Sequence, residues 1–334
     1  MCIHFVLEFL LKFSYNRFMK KILTTILTIL ILFSGCGEKK ESFSATVTAM
    51  GTVASYKIYG QGARETFSQI NEIFEEIDNA CSLTKEGSAV NMLNFLGKTD
   101  NPYIVEQATL FEKNGLLKIS EKKFDLTVGA LTDLWDIGFL GETVPENIEE
   151  ALKNVDGTKT KIENNVFYIG ENQKIDLGAV TKGYALDKAK EILDRNNVSG
   201  VVTLGGSVLF CGSKKNNWTC AIKNPFNTSE YLGVITLKEG FVSTSGSYER
   251  FFEENGKTYH HIIDATDGYP FETDIVSVTI VCNNGFLSDA LSTVCFMAGI
   301  EKSKEIIKNF NASAIFVDKD QNITILGDVD FEAY

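Results

Sequence analysis

Apolar positions along the chain follow two rhythms. In ARETFSQINEIFEEIDNA, residues 63–80, Phe67, Ile70, Phe74 and Ile77 recur at steps of three and four, the period of a helix with one buried face. The stretches PYIVEQATLFEKNGLLKIS (102–120), VTKGYALDKAKEILDRNN (180–197), NGFLSDALSTVCFMAGI (284–300) and EKSKEIIKNF (301–310) predict four further helices. Elsewhere apolar residues alternate or come in short bursts, which predicts strands. These are TVTAMGTVASYKIYG with Met50-Gly51-Thr52 at its middle, NVFYIG, SGVVTLGG, WTCAIK, LGVITLK, FVSTSG, YERFFE, KTYHHII, DIVSVTIVC, ASAIFVD and NITILG. Strands crowd the second half in runs and do not alternate one for one with helices. The pattern therefore predicts an α+β fold with largely antiparallel sheets.

The N-terminus breaks both rhythms. MKKILTTILTILILFSGCGEKKE begins at Met19 with two lysines, continues as an apolar run from Ile22 to Phe33 and ends in small residues. That is the layout of a secretory signal peptide, and the run is short for a membrane span. LFSGC resembles a bacterial lipobox, in which Cys36 is lipidated and becomes the first mature residue. We expect residues 1–35 to be removed, with Met19 the true start, 36–45 to form a tether, and 46–334 to form a single catalytic domain. An uncleaved anchor helix is the competing reading. The expected location is the bacterial cell envelope, lipid-anchored to the membrane with the folded domain on the extracytoplasmic side.

Composition adds two constraints. With 44% hydrophobic and 23% charged residues, the chain can bury a full core. The net charge is −12; without residues 1–35 it is 28 basic against 43 acidic groups, or −15. That argues against a nucleic-acid partner, and a phosphate-bearing substrate would need a local cation. Beyond Cys36 the cysteines are Cys81, Cys211, Cys220, Cys282 and Cys295, with no CxxC spacing, so neither a disulfide framework nor a zinc site is indicated. A Cys211–Cys220 bridge across a hairpin is an open pairing that nothing in the sequence supports. GxGxxG, GxxxxGK[ST] and GxSxG motifs are missing, which speaks against Rossmann, P-loop and serine-hydrolase readings.

Several segments carry candidate chemistry. The chain has three histidines; His4 lies in the leader, and His260 and His261 stand together in YHHIIDATDGYP, where a strand would turn one ring inward and the other outward. In SDALSTV, Asp289 and Thr293 lie four apart on one helix face, and carboxylate and hydroxyl oxygens suit a hard cation. The same spacing also fits a helix cap or a solvated face. In KIDLGAVTKGYALDKAK, Asp176 ends a strand and Lys182 opens a helix beside Gly178 and Gly183, a setting for a phosphate or simply for a surface lysine. FDLTVGALTDLWDIGF pairs Asp125 with Thr127 ahead of a core tryptophan, and Thr244-Ser245-Gly246 reads as a turn before a strand.

In order, MGT, FDLTVGAL…LW, DLGAVTKGYALD, LGGSV…W, STSGSYERFF…GKTYHHIIDATDGYP and SVTIVC…SDALSTV resemble the ApbE family, the FAD:protein FMN transferases, from about Met50 to Ile325. The resemblance implies an α/β two-subdomain fold with the flavin nucleotide in the cleft. It implies an enzyme that uses Mg²⁺, cleaves FAD, transfers FMN to a Thr or Ser hydroxyl of an acceptor flavoprotein and releases AMP. By motif, Asp289, Thr293 and the Ala179 carbonyl would hold Mg²⁺, Asp176 and Lys182 would contact FAD, and Met50, Asp125, Thr127 and Ile263 would line its pocket. His261 would be the general base and His260 structural. The family resemblance points to flavosubunits of membrane redox pumps or secreted flavin-domain reductases as acceptors. Two departures stand out. DATDG replaces the usual DPKTG, which would loosen the turn holding His261, and SLTKEGSAVNMLN lacks an aromatic near Leu83–Thr84, which would favour transfer to water. An Mg²⁺-dependent FAD pyrophosphatase is therefore the alternative enzyme, and a non-catalytic flavin-binding lipoprotein the alternative of another class.

Overall fold

The structure, a computed structural model, describes residues 41–212 and 217–334; the leader and Cys36 lie outside the described residues. Its centre is an eight-stranded, wholly antiparallel sheet in the order β1 (Ser42–Ala49), β2 (Thr52–Tyr59), β6 (Ser199–Leu204), β7 (Ser207–Cys211), β10 (Gly240–Gly246), β13 (Ile275–Cys282), β14 (Ser313–Asp318), β15 (Ile323–Leu326). Period-two alternation builds both of its faces. Ala54, Tyr56, Ile58, Val202, Leu204 and Phe316 point into the main core. Phe210, Val242 and Ile315 point the other way, into a second apolar cluster with Trp218, Ile222 and Ile235. Those last three belong to the sheet β16 (Asp330–Ala333), β9 (Asn227–Leu237), β8 (Trp218–Asn224), which covers that face. Two smaller sheets complete the strands: β3 (Lys98–Thr99), β5 (Val166–Tyr168) and β4 (Lys161–Glu163), and the hairpin β11 (Phe251–Glu254), β12 (Lys257–His260).

The main core lies between the sheet and helices α1 (Ala63–Cys81), α2 (Ala89–Leu96), α3 (Pro102–Lys113), α4 (Leu116–Ile119), α7 (Thr181–Arg195) and α8 (Gly285–Asn309). Helices α5 (Gly129–Trp135) and α6 (Ile148–Leu152) join Ile137, Phe252 and Ile263 in a third apolar cluster around the buried Trp135. Glu41–Tyr334 packs as one unit that holds these separate apolar clusters.

Four local expectations change. The β-rich stretch 46–60 is a hairpin: Ala49 pairs with Thr52, and Met50 and Gly51 take φ of 51° and 67°, the two left-handed residues that match strand twist in a two-residue turn. The 102–120 helix breaks after Lys113, because Gly115 adopts φ 63° and restarts the chain as α4. Helices 284–300 and 301–310 meet at Gly299, whose φ 71° and ψ 173° kink an otherwise continuous α8. Thr244-Ser245-Gly246 ends strand β10, so its hydroxyls belong to a sheet and not to a turn. All five described cysteines are free; Cys211 donates to Asp194 Oδ1 at 3.3 Å, and no Cys211–Cys220 bridge forms.

Candidate active site

The site begins where α7 crosses α8. Gly183 and Gly285 face each other so closely that a Cβ on Gly183 would lie 2.0 Å from the Gly285 carbonyl oxygen, and one on Gly285 would lie 2.2 Å from that of Gly183. Only glycine allows this approach. Each helix then supplies a carboxylate to the other's N-terminal amides. Asp289 of α8 accepts from Gly183 N at 2.9 Å, and Asp187 of α7 accepts from Gly285 N and Phe286 N, both at 2.7 Å. Helix N-termini attract anions, so the exchange is favourable both ways. The anion awaited by the Gly183 amide is thus the chain's own Asp289. Burial lifts the Asp187 carboxyl to about 6 against the pull of its two amides.

Asp289 is 5% exposed and Thr293 7% exposed, as the apolar surroundings of SDALSTV predict. The second oxygen of Asp289 accepts from Ser207 Oγ at 3.0 Å, and Lys182 Nζ lies 3.9 Å from the first. Lys182 Nζ also donates to the Gly178 carbonyl at 3.1 Å. Ser207 reaches Asp289 because Gly205 and Gly206 form the two-residue turn between β6 and β7, with Leu204 paired to Ser207. The Met50–Gly51 turn lies beside it: Gly205 N donates to Val53 O at 3.1 Å.

The two histidines separate as a strand-end pair should. Ile262 N donates to His260 Nδ1 at 3.3 Å, so Nε2 carries the proton and donates to Phe271 O at 3.0 Å. His260 is buried, edge-on to Phe296. β12 ends at His260, and half-buried His261 is held by its own N–H to Arg250 O at 3.1 Å. Its Nδ1 also faces Arg250 O, at 3.3 Å; a carbonyl only accepts, so Nδ1 is the protonated nitrogen and Nε2 keeps its lone pair. Desolvation, then the Arg250 charge, with smaller pushes from His260 and Lys182, lowers the imidazole to about 4. The DATDG turn behind it is firm. Asp264 accepts from Thr266 N and Oγ1 at 2.8 and 2.6 Å, Asp267 accepts from Tyr269 N at 2.8 Å, and Trp135 Nε1 donates to Gly268 O at 2.8 Å. The expected loosening does not occur, because Asp267 makes its own turn bond.

The remaining named residues divide. Asp176 and Ala179 lie in the loop leading to α7; no strand ends at Asp176, whose Oδ1 accepts from Gly178 N at 2.7 Å. Asp125 and Thr127 are buried in a knot: Asp125 Oδ1 accepts from Thr127 N and Oγ1 at 2.8 Å each, Asp125 Oδ2 from Gly157 N at 2.6 Å, and Thr127 Oγ1 from Asp156 N at 3.0 Å. Their side chains brace the segment, which aligns with the loop through Asp176 N to Leu126 O at 2.9 Å. Ile263 is buried against the Trp135 cluster. Sequence reasoning missed Ser207, Arg250 and Glu249. Burial raises the Glu249 carboxyl, against the opposing charges of Lys182 and Arg250.

Among the described residues no three His, Cys, Asp or Glu side chains gather to hold a metal. Of the two carboxylates at the crossing, Asp289 lies beside Thr293, with each oxygen holding a single donor and lone pairs to spare. Beside Thr293 this oxygen-only set fits Mg²⁺, which keeps waters and takes oxygens from a substrate's phosphates.

The family model described as the ApbE family matches residues 50–316. The chain belongs to the ApbE family. It is 29% identical over 330 residues to a Treponema pallidum protein named FAD:protein FMN transferase, covering 89% of this chain and 91% of that one. A Klebsiella pneumoniae protein of the same name is 34% identical across 62% of this chain and 67% of its own. Among solved structures, the ApbE protein of Thermotoga maritima superposes with TM-score 0.76 at 32% identity, covering 86% of this chain and 97% of that one. The apo flavinyl transferase ApbE of Pseudomonas stutzeri gives 0.75 at 25% identity, covering 86% and 94%. The mixed α+β architecture is therefore the ApbE fold, and the helix crossing and His261 lie within the stretch matched by the family.

Proposed function

We propose that this ApbE chain is a Mg²⁺-dependent FAD:protein FMN transferase that moves FMN from FAD to a Thr or Ser hydroxyl of an acceptor flavoprotein and releases AMP. The observation that carries the reading is His261. Its Nδ1 is tied to Arg250 O and its pKa is pressed down to about 4, so a neutral ring offers Nε2 as a base at neutral pH. His261 Nε2 takes the acceptor's hydroxyl proton as that oxygen bonds to the FMN phosphorus. The bridging P–O bond then breaks, and AMP leaves with the bridging oxygen. Lys182 meets the pyrophosphate, and Asp289, Thr293 and the Ala179 carbonyl would hold the cation. Mg²⁺, when bound, offsets charge on the phosphate oxygens.

The test incubates the soluble domain with FAD, Mg²⁺ and a Thr-bearing acceptor and weighs the acceptor. A gain of one FMN group supports transfer. FMN and AMP free in solution with an unmodified acceptor would instead support the pyrophosphatase, which the missing aromatic near Leu83–Thr84 favours; intact FAD would sink both. LFSGC supports lipidation at Cys36 and an extracytoplasmic, membrane-attached location. Mass spectrometry of the mature N-terminus checks this, and an unacylated, uncleaved start refutes it.

A further inference from the structure

We propose that two sheet hydroxyls, Ser207 on β7 and Ser245 on β10, are positioning residues that orient Asp289 and Thr293 toward a divalent cation. The inference rests on the metal site of the proposed function and adds how the chain prepares it. Counting protons shows the arrangement. Ser292 Oγ lies 2.7 Å from the Asp289 carbonyl, which can only accept, so the Ser292 proton is spent there. Ser245 Oγ lies 2.7 Å from Ser292 Oγ and must therefore be the donor. Its own proton spent, Ser245 can only accept from Thr293 Oγ1 at 3.1 Å. The relay runs Thr293 to Ser245 to Ser292 to the Asp289 carbonyl. It turns the Thr293 hydrogen toward the sheet and leaves the oxygen's lone pairs for a cation, the polarity a neutral hydroxyl ligand needs.

Ser207 does the corresponding task for the carboxylate. It is 1% exposed, and its single proton goes to one Asp289 oxygen at 3.0 Å while the Gly183 amide holds the other at 2.9 Å. Together the two donors fix the plane of the carboxylate. Partners that orient metal ligands are typically worth about 10- to 100-fold in metal affinity.

The experiment titrates Mg²⁺ alone, without FAD, into the soluble domain and reads binding by calorimetry and by the Mg²⁺-dependent rise in melting temperature. Variants are Ser207→Ala, Ser207→Cys, Ser245→Ala and Ser245→Thr, with Asp289→Ala as the reference for a lost site. We expect Ser207→Ala to weaken Mg²⁺ about tenfold, and Ser245→Ala to weaken it less because its acceptor chain ends on a neutral ligand. Ser207→Cys, with its weaker donor, should fall between alanine and wild type, and Ser245→Thr should restore binding. Melting temperatures in chelator should stay close to wild type. Wild-type Mg²⁺ affinity in both alanine variants overturns the proposal. So does a drop in melting temperature in chelator that accounts for the lost affinity, since that marks a packing role. A wild type that binds Mg²⁺ no better than Asp289→Ala overturns the metal site itself, and this inference with it.

Discussion

Gly183→Ala tests the helix crossing by sign alone. Alanine is the better helix former by about 1 kcal/mol, so propensity taken by itself expects a more stable protein. The crossing demands the opposite. The new Cβ would lie 2.0 Å from the Gly285 carbonyl oxygen and 2.7 Å from Asp289 Cβ. Ordinary contact needs about 3.5 Å, so the helices must part by roughly 1.5 Å. That stretches the 2.9 Å bond from Gly183 N to Asp289 and strains the paired bonds from Gly285 N and Phe286 N to Asp187. Overpacking costs about 1–3 kcal/mol and a charge-assisted bond about 1.5–3 kcal/mol, leaving a net loss of roughly 3 kcal/mol after the propensity gain. For a unit of this size the melting temperature should fall by about 6 °C. Gly285→Ala should do the same, and the double variant should fall by less than the sum because both open one crossing. Calorimetric melting checks this; a melting temperature at or above wild type in Gly183→Ala refutes the account of the contact.

His261→Ala should slow FMN transfer by on the order of 100- to 10,000-fold at equal FAD occupancy, while His260→Ala should lower the melting temperature more than the rate; transfer at the wild-type rate in His261→Ala removes the base. The acid limb of kcat/KM, which reports the free enzyme, should lie near pH 4 and not near 6.5. The same shift has a stability consequence: between about pH 6.5 and 4 the unfolded ring binds a proton that the folded ring does not, so stability is lost as pH drops from about 6.5 to 4, and lost less steeply in His261→Ala. Asp289→Ala should abolish Mg²⁺-dependent turnover while Thr293→Val acts more mildly; undiminished activity in Asp289→Ala would falsify the metal site. Asp187→Asn keeps the shape but offers one oxygen to two amides, so chemical denaturation should show a loss of about 1–3 kcal/mol.

What the sequence made legible follows from how far each signal reaches. Asp289 and Thr293 were readable because helical spacing is local, and the apolar residues around them announced burial. Strands β2 and β6 were readable from alternation, and the central β10, β13 and β14 from short apolar bursts, since those three are buried on both faces. Signals that join distant segments were silent. Nothing in VTKGYALD says that Gly183 meets Gly285, about a hundred positions on, so its glycine looked like part of a phosphate turn. Gly205-Gly206 likewise gave no hint that it is the hairpin that delivers Ser207. Asp125 and Thr127 stood out as a pair ahead of a core tryptophan, and their oxygens accept from nearby amides and from the Thr127 hydroxyl. The break at Gly115 was masked by Leu116, Leu117 and Ile119, which continue the helical period on the far side.

The acidity of the chain and the chemistry of the base are reconciled in the same few residues. Lys182 is tied to the Gly178 carbonyl and, at 3.9 Å, to Asp289, and Arg250 lies over the Phe139 ring, so neither charge is closed off in a tight ion pair with Asp289. Both charges help to hold His261 unprotonated. Those cations are also what a pyrophosphate would seek on a protein of net charge −12. When an anionic substrate arrives, its charge offsets Lys182 and Arg250, and one of the pressures on His261 is lifted. Under the proposed function, the ring would be neutral while it waits and more basic once the acceptor proton has to be taken. The acid limb of kcat, which reports the bound complex, should accordingly lie at higher pH than that of kcat/KM. Arg250→Gln should narrow the gap by raising the free-enzyme limb. Coincident limbs in the wild type would mean that burial alone sets the base, and that the cations serve only to bind.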